Sequence, residues 1–272
     1  MKPDLQARRD SFHAMHRTGC FVIPNPWDAG SAKYLKSLGF KALATTSSGF
    51  AWTQGRGDNH VTLDAVLAHL QAMSAAVTIP VNADFEGGFA IQPEGVATNV
   101  SAATTTGIAG LSIEDSTGDP ANPLFDFSLA VERVAAARQA IDASGTGVLL
   151  TGRSEGFIAG RPDLAETIRR LTAYAEAGAE CLFAPGLRSI AHIKEVVAAV
   201  APKPVNVIVG SGFTTHAELA AVGVRRISVG GALARSAWAG FLAAAKEISE
   251  QGTFTRLESG VPFADMNKFF EG

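Results

Sequence analysis

"PVNADFEGGFA", residues 80–90, opens as a buried strand and closes on acids set beside glycines. Pro80 to Ala83 is short and apolar. Asp84 and Glu86 follow at once, ahead of Gly87 and Gly88. A carboxylate at the end of an apolar strand is costly to bury alone. The stretch therefore predicts a buried strand whose end faces something that compensates negative charge. If the chain repeats this pattern, the fold and the site are read together.

It does repeat. Similar short apolar runs are "CFVIP" (20–24), "KALATTSS" (41–48), "GLSIED" (110–115), "GVLLTGRSE" (147–155), "CLFAPG" (181–186), "PVNVIV" (204–209) and "RRISVGG" (225–231). With residues 80–84 they make eight, each bounded by Gly, Pro or polar residues, as buried parallel strands are. Between them lie segments with apolar residues at three- and four-residue spacing, such as "LDAVLAHLQAMSAAV" (63–77) and "DLAETIRRLTAYAEAGAE" (163–180). Gly39, Gly107, Gly145, Gly178 and Gly223 stand where these helices should stop. Eight alternating strand and helix units predict a parallel sheet closed into a (β/α)8 TIM-type barrel. The open alternative, a doubly wound dinucleotide fold, has no support, because the first strand–helix turn lacks G-x-G-x-x-G.

The bulk numbers agree. At 272 residues and 47% hydrophobic, the chain can bury one large core, and 18% charged residues argue against disorder. We expect one barrel domain over 1–272, with an entry helix in 1–19 and a C-terminal extension in 251–272 whose Phe residues dock on something, such as a neighbouring subunit. Net charge is −3, with no basic block, which excludes nucleic-acid and membrane-surface partners. Cys20 and Cys181 have no metal or redox spacing and are expected to be reduced, buried thiols. There is no signal-like N-terminus and no run long enough to span a membrane, so a cytoplasmic protein is expected.

In a barrel of this kind, the chemistry sits at the C-terminal strand ends. After strand 2, Ser47, Ser48 and Gly49 can offer hydroxyls and N–H groups to an anion, or form an ordinary turn. Asp58 follows in a glycine-flanked loop. On strand 3, Asn82 and Asp84 share a face, because side chains alternate. Strand 4 ends at Glu114, so Asp84 and Glu114 aim into one cavity from neighbouring strands. A hard divalent cation relieves their repulsion. Mg²⁺ suits a few carboxylates, waters and a substrate oxygen, and Mn²⁺ is the alternative ion. Pairing to an arginine is the competing reading. Arg153, ending strand 5, offers a donor fork for a substrate carboxylate or phosphonate, or a salt bridge to those acids. Asn206 on strand 7 is an amide donor to the same ligand. Gly230 and Gly231 form either an anion-binding helix start or a tight turn. His60 and His216 are expected to be surface or capping residues.

Together, "TTSSGFA…GRGD" (45–58), "NADFEGGFA" (82–90), "GIAGLSIEDS" (107–116), "GRSEGF" (152–157) and "GVRRISVGGALAR" (223–235) resemble the isocitrate lyase/phosphoenolpyruvate mutase superfamily over nearly the whole chain. The resemblance implies a barrel with Mg²⁺ at its mouth, acting on small 2-oxo or 2-hydroxy acids through an enolate-like species. It also implies a homo-oligomer, a tetramer or dimer, that exchanges the last barrel helix between subunits. By position, Ser47, Ser48 and Gly49 would bind the substrate carboxylate and Arg153 its other end, with Asn206 lining the pocket. Asp58 would stand beside the metal and reacting centre. Asp84 and Glu114 would hold Mg²⁺, with Asn82 and Glu86 as further candidates.

Two departures are visible. The family commonly has Asp-x-Asp on strand 3, and Asn82 replaces the first Asp, with Glu86 as a partial substitute. The loop "STGDPANPLFD" (116–126) lacks the Lys-Arg-Cys-Gly-His lyase motif and its thiol acid/base. This points to a divergent member: a Mg²⁺-dependent lyase or decarboxylase on a small 2-oxo or 2-hydroxy di- or tricarboxylate. The alternatives are a P–C bond enzyme, of the mutase or phosphonopyruvate hydrolase kind, and a barrel that binds an oxo acid without turnover.

Overall fold

The computed structural model describes residues 3–271. The outermost residues of the expected entry helix and C-terminal extension (1, 2 and 272) lie outside the described residues. Two compact units make up the chain, residues 1–231 and 232–272.

The first unit holds eight parallel strands: β1 (Phe21–Ile23), β2 (Leu43–Ala44), β3 (Val81–Asp84), β4 (Gly110–Glu114), β5 (Leu149–Arg153), β6 (Cys181–Phe183), β7 (Val205–Ile208) and β8 (Arg226–Ser228). Every expected run contains one. Their order is β1-β8-β7-β6-β5-β4-β3-β2. The remaining seam is bridged where the Ala44 N–H donates to the Pro24 carbonyl at 3.1 Å. The result is a nearly closed (β/α)8 barrel, with alternating helices.

The helices are α1 (Pro3–Met15), α2 (Ala29–Ser37), α3 (Ser47–Thr53), α4 (Leu63–Ala76), α5 (Pro93–Thr104), α6 (Phe127–Ser144), α7 (Leu164–Glu176), α8 (Ile190–Ala199) and α9 (His216–Ala221). The five predicted glycine stops all take positive φ, for example 62° at Gly145, which caps α6 in the left-handed conformation. Helix α3 was not expected. Seven residues are too few for a periodic signal, and its start is fixed locally by Thr46, whose hydroxyl accepts the Gly49 N–H.

Strand alternation sorts the core. Leu111, Ile113 and Leu150 point outward into a layer shared with the helices, including Val96, Val134 and Tyr174. The residues between them point into the barrel. Lowest are Leu149 and Cys181, packed with Phe12 of α1. Helix α1 thus plugs the barrel bottom, and Arg9 ties it there by donating to the carbonyls of Ile108, Thr104 and Thr146. Gly110 is required in this layer, because a Cβ would lie 2.6 Å from Asn82 Oδ1 and 2.7 Å from the Phe12 ring.

The second unit comprises α10 (Ala232–Gln251), a 3-10 turn (Thr255–Ser259) and α11 (Phe263–Glu271). Glu247 organises it, accepting from Thr253 Oγ1 and from the N–H groups of Thr255 and Arg256. Trp238, Phe241, Phe254 and Phe263 are exposed in the single chain. Among the described residues, no helix is long and apolar enough to cross a membrane.

Candidate active site

The strand ends converge on a cavity of about 130 Å³ inside the first unit. Ser47, Ser48, Asp58, Asn82, Asp84, Arg153 and Asn206 all line it. Gly49 does not; it is buried, and its N–H serves the Thr46 cap. Glu86 and Glu114 line an adjoining cavity of about 420 Å³, with Arg133 and Phe125.

Arg153 stands between the two cavities and ties the acids together. Its Nη1 lies 3.1 Å from Asp84 Oδ1 and 3.1 Å from Glu114 Oε2, and its Nε donates to Glu155. The ring of Phe183 lies 5.2 Å from its guanidinium carbon. Asp84 is further fixed by the Ser47 N–H on its Oδ2 at 3.0 Å, while its own N–H donates to Thr45 Oγ1 at 2.9 Å. Glu114 faces the cavity, whereas its neighbour Asp115 points away, accepting from Tyr174 and Arg170. That split is the strand alternation at work.

Negative charge is in surplus. Asp58, Asp84, Glu86, Glu114 and Glu155 surround one guanidinium. Partial desolvation raises the Asp58 carboxyl, although the residue stays exposed, and Asp84 adds to the rise. Burial, then Asp84 and Asp58, pushes Glu86 up to about 8. Glu114 is raised well above the ordinary range by burial, which Arg153 only partly offsets. Glu155 is raised for the same reason. Burial alone would lower Arg153, but Glu114, Glu155 and Asp84 outweigh it and keep it charged. Such a cluster is short of positive charge.

The donors are all oxygen, which is the chemistry of a hard cation. Asn82 adds to it. It is 4% exposed, and its Oδ1 has no hydrogen-bond partner. Among the described residues, no three His, Cys, Asp or Glu side chains are gathered to enclose an ion by themselves. The site therefore fits an ion held by one or two carboxylates with the remaining positions left to water or substrate, not a closed protein cage.

Several residues here escaped the sequence reading. Asn25, after β1, takes the N–H groups of Val229 and Gly230 on its Oδ1, both at 2.8 Å, so it occupies the glycine turn after β8. Thr45 holds Asp84, and Glu155 shares Arg153. Arg226 lies in the barrel interior, 3% exposed, donating to Asn206 Oδ1 at 2.9 Å. Asn206 in turn donates to Ser228 Oγ at 3.0 Å. The 116–126 loop folds back on itself through a Ser116–Leu124 bridge and a Thr117 N–H to Pro123 bond of 3.1 Å. His60 and His216 are exposed, bonded to the carbonyls of Asp58 and Cys20. Cys181 is buried and Cys20 half-buried, both unpaired, with burial raising each thiol.

A barrel whose strand-end acids and guanidinium converge on one small cavity belongs to the class of barrels with an enzyme-like site at the strand ends. The comparisons place the chain within that class. The phosphoenolpyruvate phosphomutase family model matches residues 12–249, and the chain belongs to that family, within the isocitrate lyase/phosphoenolpyruvate mutase superfamily. It is 32% identical, over 94% of each chain, to the uncharacterized protein Rv1998c of Mycobacterium tuberculosis (strain ATCC 25618 / H37Rv). It is 29% identical to the oxaloacetate decarboxylase of Bradyrhizobium diazoefficiens, over 72% of this chain and 69% of that one. Among solved structures, a protein of Burkholderia cenocepacia J2315 matches with a TM-score of 0.94 and 46% identity, covering 99% of this chain and 98% of that one. A 2,3-dimethylmalate lyase of the same superfamily matches with a TM-score of 0.86 and 25% identity, covering 99% and 95%.

Proposed function

We propose that the protein is a Mg²⁺-dependent carbon–carbon lyase or decarboxylase acting on a small 2-oxo acid through an enolate. The observation that carries this reading is the Asp84–Arg153–Glu114 cluster, with surplus carboxylates, at the mouth of a small cavity at the strand ends. Relatives named oxaloacetate decarboxylase and 2,3-dimethylmalate lyase support the reaction class.

Asp84 and Glu114 would hold Mg²⁺ through oxygen, with Glu86 in support. When bound, the ion supplies Lewis-acid polarisation of the 2-oxo group. The chain's residues do the rest. The Ser47 and Ser48 hydroxyls bind the C1 carboxylate, at the turn that Thr46 and Gly49 shape. Arg153 places a fixed positive charge beside the oxygen that becomes anionic as the C–C bond breaks. Preorganised charge of this kind acts strongly in a water-poor site. Asp58, exposed yet raised by partial desolvation and by Asp84, sits beside the reacting centre as the proton-handling group. No loop thiol is needed for bond breaking, which agrees with the residues at 116–126.

The test is pyruvate formation from a panel of oxaloacetate and substituted malates. EDTA should abolish it and Mg²⁺ restore it. Asp84→Ala should lower kcat/KM by about 10²–10³, the scale of losing one electrostatic stabiliser. Full activity in EDTA, or in Asp84→Ala, would sink the proposal. The family model's own name keeps P–C chemistry as the second reading. Phosphorus release or migration from phosphonopyruvate, followed by ³¹P NMR, would select it instead. The exposed aromatic side chains of 232–272 fit the homo-oligomer that the resemblance implies, which sedimentation would read directly.

A further inference from the structure

Arg226 is the residue that the fold places in the cavity and the site chemistry has not used. It is the first residue of β8, and it points inward to the layer beneath the acid cluster. Its Nη2 donates to Thr151 Oγ1 at 3.1 Å, and Thr151 lies two residues before Arg153 on β5. At the rise of a strand, that puts Arg226 one layer, about 6–7 Å, below the Arg153 level. Both arginines line the same cavity, Arg153 at its mouth and Arg226 at its floor.

The two are opposites in partnership. Arg153 meets three carboxylates. Among the described residues, Arg226 hydrogen-bonds to neutral groups alone: Asn206 Oδ1, Thr151 Oγ1 and, at 3.3 Å, His16 Nε2. His16 is fixed as an acceptor there, because its Nδ1 faces the Phe12 carbonyl at 2.7 Å and must carry the proton. Burial and Arg226 together hold the ring neutral. A guanidinium has five N–H donors, and these bonds use three, leaving one hydrogen on each terminal nitrogen. A buried cation without a counter-charge is costly, and a purely structural role would be met by an uncharged residue at less cost.

We propose that Arg226 is a carboxylate anchor at the cavity floor, which selects diacids over monoacids of equal length. Its two unused N–H groups suit a carboxylate, which takes them as a fork. Ser228 and Ser112 line the wall beside it. The substrate's far carboxylate sits on Arg226, and its reacting end meets the Arg153 cluster. This deepens the oxo-acid reading above and rests on it for the orientation of the substrate.

The experiment compares (S)-malate with (S)-2-hydroxybutyrate, which differ only by a carboxylate in place of a methyl group. Binding to the full chain is measured by calorimetry in Mg²⁺, without turnover. The wild type should bind malate roughly 10- to 100-fold more tightly, the scale of a charged hydrogen bond. Arg226→Gln should erase that preference and leave 2-hydroxybutyrate binding within about 3-fold of wild type, while Arg226→Lys keeps part of it. No preference in the wild type, no binding of either acid, or a preference that survives in Arg226→Gln overturns the proposal. If neither variant folds, a wild-type co-crystal with malate decides: a carboxylate on the Arg226 guanidinium supports the anchor, and its absence there refutes it. An Arg226-dependent preference without lyase activity on any oxo acid would leave the anchor standing and the lyase reading fallen. Activity without the preference would do the reverse.

Discussion

The mouth and the floor of one cavity solve opposite electrostatic problems. At the mouth, Arg153 is outnumbered by Asp84, Glu114 and Glu155, and burial drives Glu114 and Glu155 toward their neutral forms. At the floor, Arg226 has hydrogen bonds and, among the described residues, no carboxylate partner, and burial draws its charge down. Strand alternation keeps the two apart on successive inward layers. One cavity therefore offers a cation-poor end and an anion-poor end. A small molecule with separated charges, together with a hard cation, balances both.

Removing the cation from the crowded end should have the largest effect. Arg153→Met leaves three acids facing one another without their guanidinium. Breaking a buried pair by losing one partner typically costs about 3–5 kcal/mol. Urea melts at neutral pH should show a loss of that order, and the lyase activity should disappear. The deficit should shrink toward pH 5, because protonating Glu114 and Glu155, both raised by burial, removes their repulsion. A variant as stable as wild type at neutral pH would show that Arg153 does not hold the cluster together.

Glu86 tests the same surplus more gently. Its carboxyl is raised to about 8 in the folded chain, above the ordinary 4.5. The folded state then holds a proton that the unfolded state has released, so this group's penalty grows as pH rises through that window. Between pH 5.5 and 7.5 it should remove about 2–3 kcal/mol of stability from EDTA-treated protein. Glu86→Gln abolishes that slope, so the variant should be the more stable protein at pH 7.5. Parallel stability profiles for the two proteins would show that Glu86 ionises as an ordinary acid.

These contrasts were unevenly visible in the sequence. The strands, most helices and the glycine stops were legible because they follow from periodicity and from backbone conformations that few residues adopt. Asp84, Glu114 and Arg153 were legible because they end strands. Arg226 was not. The pair "RR" at 225–226 shows that one arginine faces the barrel and one faces away, but not which. Only the register with Phe21 and Asn206 decides it, leaving Arg225 outside on the Gly19 carbonyl. Asn25 was hidden differently. Its role is to satisfy backbone N–H groups more than two hundred positions away, across the β1–β8 pairing. Helix α3 is too short to carry a period, although Thr46 ahead of it was a usable cap signal.

His16 sharpens the contrast at the floor with the smallest effect. Burial and Arg226 lower it from 6.5 to about 3, so it stays neutral in the folded chain. In the unfolded chain it takes up a proton below about pH 6.5. Its contribution is therefore fully present above that value and is lost as pH falls toward 3. By pH 5 the loss should be about 2 kcal/mol. His16→Gln keeps an acceptor for Arg226 but cannot titrate, so the stability gap between wild type and variant should shift in the variant's favour by that amount between pH 7.5 and 5. An occupied floor should make this slope steeper at the low end, because a carboxylate bound to Arg226 stabilises only the folded state and is itself lost on protonation. Malate, but not 2-hydroxybutyrate, should therefore raise the melting temperature more at pH 7.5 than near pH 4. An equal shift at both pH values would mean that the diacid is held somewhere other than Arg226, and that the floor guanidinium is a structural cation after all.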